Sequence, residues 1–256
     1  MEAVPDPKEA NEDDEAPRRR IRICDAHHHF WDLSLGRNPW LLPDGVLPTF
    51  RYGDYSAIRR NYLVSDFQRD SRAFDVACSV HVETEPARDK AVDETAWLTK
   101  VNAECGLPSA IVCAAWLDAP EDEVNALLAA QTQYALVKAV RHKPTAAVSP
   151  HALRKQRERS AQPVAGSMPD PCWRRGYALL AKYGLSFDLQ VHWWHLDEAA
   201  QLARDFPDTI IVLNHTGLPA DRSEAGLAGW RAALETFAAE PNTYLKISGI
   251  GVVPSS

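Results

Sequence analysis

The sequence predicts an α/β fold, a TIM-type (β/α) barrel of parallel strands. Short β-prone runs alternate with helical runs along most of the chain. Those strand runs are largely apolar, as expected of strands covered by helices. Histidines and other polar side chains gather just after the strand runs, at the C-terminal ends where α/β barrels place their sites. An open doubly wound sheet is the alternative. It is weakened because no glycine-rich phosphate loop follows the first strand. No internal repeat is visible.

Taken in order, residues 1–20 are polar, acidic and proline-bearing, and they end in Arg18-Arg19-Arg20. They read as a disordered tail, with the arginines a solvated charge run rather than a localisation signal. The first strand starts in Arg20-Ile21-Arg22-Ile23-Cys24 and runs into Asp25-Ala26-His27-His28-His29-Phe30-Trp31-Asp32. A long loop follows, about Leu33 to Tyr55, carrying Pro39, Trp40, Pro43, Pro48, Phe50 and Tyr52. Such a loop beside a strand end suits a substrate-covering segment or packing on the barrel rim. Ser65-Asp66-Phe67-Gln68 reads as a helix start with a capping box.

Phe74 to Glu83 alternates as a strand, and Ala87 to Glu104 is helical until Gly106-Leu107-Pro108 stops it. Ala110 to Trp116 is a continuous apolar strand. Pro120-Glu121-Asp122-Glu123 opens a helix with acids in its first turn. Leu136 to Val140 is the next strand, delivering Lys138, Arg141 and His142. Residues 143–170 form a second long loop with a short helix near Pro150 to Arg159. Cys172 to Tyr183 is helical; Leu185 to Val191 is a strand leading to His192-Trp193-Trp194-His195. Asp197 to Phe206 is helical, and Thr209 to Leu213 is a strand leading to Asn214-His215-Thr216-Gly217. Leu227, Trp230, Leu234 and Phe237 mark one helix face. Thr243 to Ile247 is the last strand, the seventh, ending in Ser248-Gly249-Ile250-Gly251. Residues 21–256 are thus expected to form one barrel, incomplete at its C-terminus.

Composition excludes several function classes. Hydrophobic residues make up 45%, ordinary for a globular core. The net charge is −7, but residues 1–17 carry seven acids and one lysine, −6, which leaves −1 for the rest. A near-neutral body offers no electrostatic footprint for nucleic acid or an anionic membrane. No run is long and apolar enough to span a bilayer, and the acidic start does not resemble a secretory signal. The five cysteines, Cys24, Cys78, Cys105, Cys113 and Cys172, show no C-x-x-C pair. Free buried thiols in a reducing compartment are the simplest account, so the expected location is cytoplasmic. The expected partner is a small-molecule substrate.

The histidine string carries the chemistry. Side chains alternate across a strand, so Asp25, His27 and His29 share one face and His28 points the other way. Two imidazoles on one face converge on one ion or water, and imidazole suits zinc. His27 and His29 are therefore the candidate ligands of a divalent metal, zinc first. Arg141, a permanent cation with a planar donor fork, suits a carboxylate or an oxyanion; its structural alternative is an ion pair with a rim acid. His215 and His142 complete the candidate catalytic set. Trp31, Glu83, His192 and His195 are the candidate substrate contacts, with Glu83 equally suited to bind a neighbouring arginine. Trp193 and Trp194 can stack on a ring but more commonly pack. His81 and His151 read as structural or exposed.

The run Asp25-Ala26-His27-His28-His29-Phe30-Trp31-Asp32-Leu33 resembles the amidohydrolase-related (amidohydrolase 2) branch of the amidohydrolase superfamily. That branch contains sugar-lactone lactonases and a pyrone-dicarboxylate lactonase. Arg141-His142, Phe187-Asp188-Leu189-Gln190-Val191, Asn214-His215-Thr216-Gly217-Leu218-Pro219 and Leu245-Lys246-Ile247-Ser248-Gly249 resemble later segments of the same family, in order. The resemblance runs from about Arg22 to the last residue and departs at Asn214, where the family has Asp. It implies a hydrolase, most simply one that opens a cyclic ester of a sugar acid. Decarboxylation, and a binding protein without activity, are the alternatives. No carbamylated-lysine pattern stands out, and Lys138 is a candidate only by its strand number. The resemblance also implies an eighth strand bearing an aspartate base. None follows Gly251-Val252-Val253-Pro254-Ser255-Ser256, and Asp205, Asp208 and Asp221 are poor substitutes. The expectation is an open (β/α)7 barrel of low or no activity, prone to self-association through the open edges of its first and last strands.

Overall fold

The computed structural model describes residues 20–45, 47, 50 and 53–251. The expected acidic tail, up to residue 19, lies outside the described residues, as do Pro48 and Tyr52 in the first long loop.

Among the described residues seven strands form one sheet: β1 (Ile21–His28), β2 (Phe74–Val82), β3 (Ala110–Ala114), β4 (Val137–Arg141), β5 (Ser186–Leu189), β6 (Ile211–Leu213) and β7 (Thr243–Leu245). They stand in chain order and every pairing is parallel. Each crossover is right-handed by preference, so a sheet that always advances in one direction keeps its helices on one face. There is no reversal of strand order, hence no switch point, and the doubly wound alternative is set aside. The sheet curls into a half-barrel. Among the described residues β1 and β7 do not pair with each other and form its two edges.

The helices are α1 (Val64–Asp70), α2 (Ala91–Cys105), α3 (Glu121–Gln131), α4 (Pro150–Arg159), α5 (Pro171–Lys182), α6 (Leu196–Asp205) and α7 (Glu224–Ala238). Local chemistry sets their starts. Asp66 accepts the Leu63 N–H at 3.0 Å, so α1 begins one residue before the expected Ser65. Ser149, Asp170 and Ser223 cap α4, α5 and α7 through their side chains, and proline takes the first position of α4 and α5. A short 3₁₀ turn, Arg88–Lys90, displaces the start of α2 from Ala87 to Ala91.

The main core lies between sheet and helices. Leu98, Leu128, Trp173, Leu180, Phe187, Leu189, Leu202 and Leu213 are all fully buried there. A smaller cluster of Val82, Val112 and Ala139 fills the concave side. Ile111 and Cys113 join the outer core while Val112 joins the inner one. That two-sided burial is why the third strand reads as an unbroken apolar run. A Cβ on Gly176 would collide with the backbone of Leu117, so α5 can approach the end of β3 only with glycine there.

Two sequence expectations are corrected. Cys24 and Cys78 are register partners on β1 and β2 and form a disulfide across 54 residues of sequence. A search for close C-x-x-C spacing cannot see such a cross-strand pair. Cys105, Cys113 and Cys172 are free, and only Cys113 is buried. Lys138 is exposed, while Ala139 and Arg141 of the same strand are the residues that turn to the concave side and the cleft, so it cannot serve as a carbamylated ligand inside the barrel.

Candidate active site

A cleft of about 570 Å³ opens at the C-terminal ends of the strands. His27 from β1, His29 just after it, Arg141 from β4, Gln190 after β5 and His215 after β6 line it. Trp40, Phe50 and Tyr55 of the first long loop, with Trp31 before it and Ile58 after it, form an apolar wall. Thr84, Glu85, Lys143 and Asp54 complete it. No helix among the described residues is long and apolar enough to cross a membrane.

Strand geometry sorts the three histidines as expected. His28 turns away, bonds the Ser79 hydroxyl at 2.9 Å and packs on Phe30 and Phe67. Burial pushes its pKa down to about 3. His27 and His29 face the cleft with ring centroids 5.1 Å apart, and His215 packs against His27 at 4.7 Å with the rings tilted by 37°. Asp25 shares their strand face, but its carboxylate is spent on the His27 N–H at 3.0 Å. Irregular register between β1 and β2, at Ile23/Cys24 and Asp25/His28, brackets the motif. Such bulges re-aim side chains beside sites.

The three rings on the cleft are held differently. His29 Nδ1 lies 2.7 Å from the Val82 carbonyl, which can only accept, so Nδ1 carries the proton and Nε2 keeps its lone pair. Its pKa is held well below the ordinary value by burial, and next by the Arg141 charge. His27 has neither ring nitrogen hydrogen-bonded, although both are buried. Burial first, then Arg141 and Lys246, push its pKa down to about 2. His215 Nδ1 meets the Ser248 hydroxyl at 3.0 Å.

The loop after β6 is strained where it carries His215. His215, Thr216 and Leu218 have φ of 55°, 52° and 50°. Among the described residues the other non-glycine in that region is Glu85, at 54°, also on the cleft. Each such residue costs of order 1–3 kcal/mol, and such strain concentrates at functional sites. The surroundings hold it: Trp230 Nε1 donates to the Thr216 carbonyl at 2.7 Å, and the Thr216 hydroxyl donates to the carbonyls of His215 and Ser248.

Arg141 meets both of its expected descriptions. It lines the cleft and also forms a buried ion pair with Glu83. Nε donates to Glu83 Oε1 at 2.5 Å, Nη2 to the Glu83 carbonyl at 2.6 Å and Nη1 to Gln190 at 3.3 Å. Glu83 therefore binds its neighbouring arginine and sits behind the cleft rather than on it. Trp31 lines the cleft, stacks on His29 and donates its indole N–H to the Arg60 carbonyl.

Three candidates lie elsewhere. His142 Nδ1 accepts the Leu117 N–H at 3.2 Å and the Trp173 indole N–H at 3.1 Å, in a neighbouring pocket with Asp118. Burial pulls its pKa down, against the opposing Asp118 charge. His195 Nε2 accepts the Ala147 N–H, which leaves Nδ1 to donate to Glu198 at 2.8 Å. His192 stacks flat on Trp194, at 4.3 Å between centroids. Single rim histidines here are used as hydrogen-bond or packing groups.

Sequence reading missed Gln190, Lys143, Glu85 and Thr84 as cleft residues. Glu85 and Lys143 each lie two residues past a strand-end group already singled out, so extending the register was the available signal. It also missed the polar stitch beneath: Asp188 accepts Lys246 Nζ at 2.5 Å and the Asn214 amide at 3.0 Å, tying the ends of β5, β6 and β7. Among the described residues no group of three His, Cys, Asp or Glu side chains is disposed to enclose a metal ion. The donors nevertheless fit one in part. The orphaned His27 nitrogens and the free lone pair of His29, whose other nitrogen is fixed by a backbone carbonyl, match the pattern of metal-binding imidazoles.

A family model described as "Amidohydrolase" matches residues 24–255. The chain is 38% identical over 91% of its length to an uncharacterized protein, y4mH, of Sinorhizobium fredii, covering 74% of that protein. It is 26% identical over 90% of its length to an L-fucono-1,5-lactonase of Burkholderia multivorans, covering 68% of it. A crystal structure of an amidohydrolase from Burkholderia multivorans with bound zinc superposes with a TM-score of 0.64, at 25% identity, covering 89% of this chain and 69% of that one. The histidine pair at the first strand end, the half-barrel and the extent of these matches agree, and the chain belongs to the amidohydrolase family.

Proposed function

We propose that the cleft hydrolyses a cyclic ester, most simply the lactone of a sugar acid. The observation that carries this is the set of His27, His29, His215 and Arg141 on one cleft beneath an aromatic wall. Similarity to an L-fucono-1,5-lactonase supports it. Lactone opening needs an activated water, an electrophile on the carbonyl oxygen and a proton donor for the leaving oxygen.

His27 and His29 are the proposed holders of a divalent metal, zinc first; when bound, it would polarise the carbonyl and lower the pKa of water. His27 resists protonation and is therefore a lone-pair donor rather than a proton carrier. His215 is assigned to proton transfer, with Ser248 fixing its ring. Arg141, clamped by Glu83 and Gln190, presents a fixed positive charge toward the carbonyl oxygen. The aromatic wall holds the ring and excludes water. Residues 21–256 act as one unit in this reading, and copies of the chain associate through the open edges of β1 and β7.

The test is a panel of sugar lactones followed by acid release, with aromatic carboxylic acids followed by carbon dioxide release. Lactone opening supports the reading. Carbon dioxide release alone replaces it with decarboxylation. Ligand-dependent melting shifts without either reaction replace it with a binding protein.

A further inference from the structure

The hydrolysis reading leaves one feature of the cleft unused, the ion pair between Glu85 and Lys143. Glu85 follows β2 and Lys143 follows β4, and both line the cleft. Glu85 holds a left-handed backbone, φ 54°, that costs a side-chain-bearing residue free energy. Its N–H donates to Glu83 Oε2 at 2.6 Å. Glu83 thus organises two groups at once. One oxygen takes Arg141, and the other fixes the backbone that sets Glu85 against the Lys143 ammonium.

The charge balance of the wall follows. Among the described residues the lining holds two cations, Arg141 and Lys143, and two acids, Asp54 and Glu85. Each cation already faces a carboxylate. A carboxylate on the substrate ring would have to compete with Glu83 or Glu85, and would also meet Asp54. An uncharged ring has no such competition and can pack on the faces of Trp31, Trp40, Phe50 and Tyr55, where Trp40 and Phe50 stack at 6.0 Å. Whatever polarises the reacting carbonyl at the histidine end acts on that carbonyl; the wall reads the remainder of the ring.

We infer that Glu85 is a specificity-determining residue: by neutralising Lys143 it selects uncharged lactone rings against rings that bear a carboxylate. The inference rests on the hydrolysis reading for the kind of ring, while its test reads binding and does not need turnover. Specificity built by withholding a cation is discrimination against the wrong ligand rather than added attraction for the right one.

The experiment titrates two matched, non-hydrolysable probes, a neutral sugar δ-lactam and the same ring carrying a carboxylate. Wild type, Glu85→Gln and the double exchange Glu85→Lys with Lys143→Glu are compared by tryptophan fluorescence, with circular dichroism to confirm folding. Wild type is expected to prefer the neutral probe at least tenfold. Glu85→Gln should cut that ratio about two- to fivefold, the scale of one partly screened charge pair. The double exchange should restore it. Equal affinities in wild type, an unchanged ratio in Glu85→Gln, no restoration in the double exchange, or no binding of either probe overturns the inference. A ratio that behaves as stated with no lactone opened sinks the hydrolysis reading and leaves the charge filter standing. Lactone opening with an unchanged ratio does the reverse.

Discussion

At the scale of single residues, Arg141 shows how one side chain serves structure and chemistry together. Its side chain is 4% exposed and that of Glu83 is 5%. Removing one partner of a buried pair leaves the other charge stranded, at a cost of about 3–5 kcal/mol. Glu83→Ala should therefore lower the unfolding free energy by about that amount in urea titration. Glu83→Ala combined with Arg141→Met should recover most of the loss, because no buried charge is then left alone. A double variant as unstable as the single one would show that the pair is not the source. The sequence showed the residue types but not this pairing. Glu83 and Arg141 are 58 positions apart, and only parallel pairing of β2, β3 and β4 brings them together. His142 and His195 illustrate the opposite limit. Nothing in a sequence tells an imidazole accepting two N–H groups inside the rim from one facing substrate; the deciding partners, Leu117, Trp173 and Ala147, are far along the chain.

At the scale of elements, period and caps were enough to find strands and helices, because apolar runs with stop signals are local. α4 lies where the proline and its neighbours put it, Pro150–Arg159. Boundaries moved where a short turn or a side-chain cap intervened, as before α2 and α1, and strands came out shorter than the apolar runs that mark them: β3, β5 and β7 stop two residues early and β6 starts two residues late. Close approaches were not legible, since they depend on what packs against an element. Gly176 is the clearest case. A methyl group there meets the backbone of Leu117, which cannot swing away as a side chain would. Gly176→Ala should therefore destabilise by about 1–3 kcal/mol despite the better helix propensity of alanine. Thermal melting checks it: a variant as stable as wild type would mean that α5 shifts freely on the end of β3. As a control, Leu180→Ala on the same helix removes a fully buried side chain and should cost about 2–5 kcal/mol.

At the scale of the whole molecule, seven strands in unbroken order produce, among the described residues, a half-barrel with two edges rather than a closed ring. The β7 side carries Tyr244 at 59% exposure and Ile247 at 86%, beside Leu245 and Ile250. Exposed apolar residues on an open strand edge favour pairing with another chain. Analytical ultracentrifugation should show concentration-dependent association, reduced by Tyr244→Lys and Ile247→Lys. A wild type that stays monomeric at every concentration would contradict the edge argument.

The central claim is that the strand-end histidines of this cleft carry out hydrolysis. It is tested most directly by kcat/KM on one lactone accepted by the wild type, measured in His27→Ala and His215→Ala with circular dichroism alongside. Both side chains stand on the cleft rather than in the core, so the variants should keep the wild-type spectrum. Their kcat/KM should fall by about 10²–10³ or more, the scale of losing one group that stabilises developing charge. A folded His27→Ala or His215→Ala that retains wild-type turnover would contradict the account.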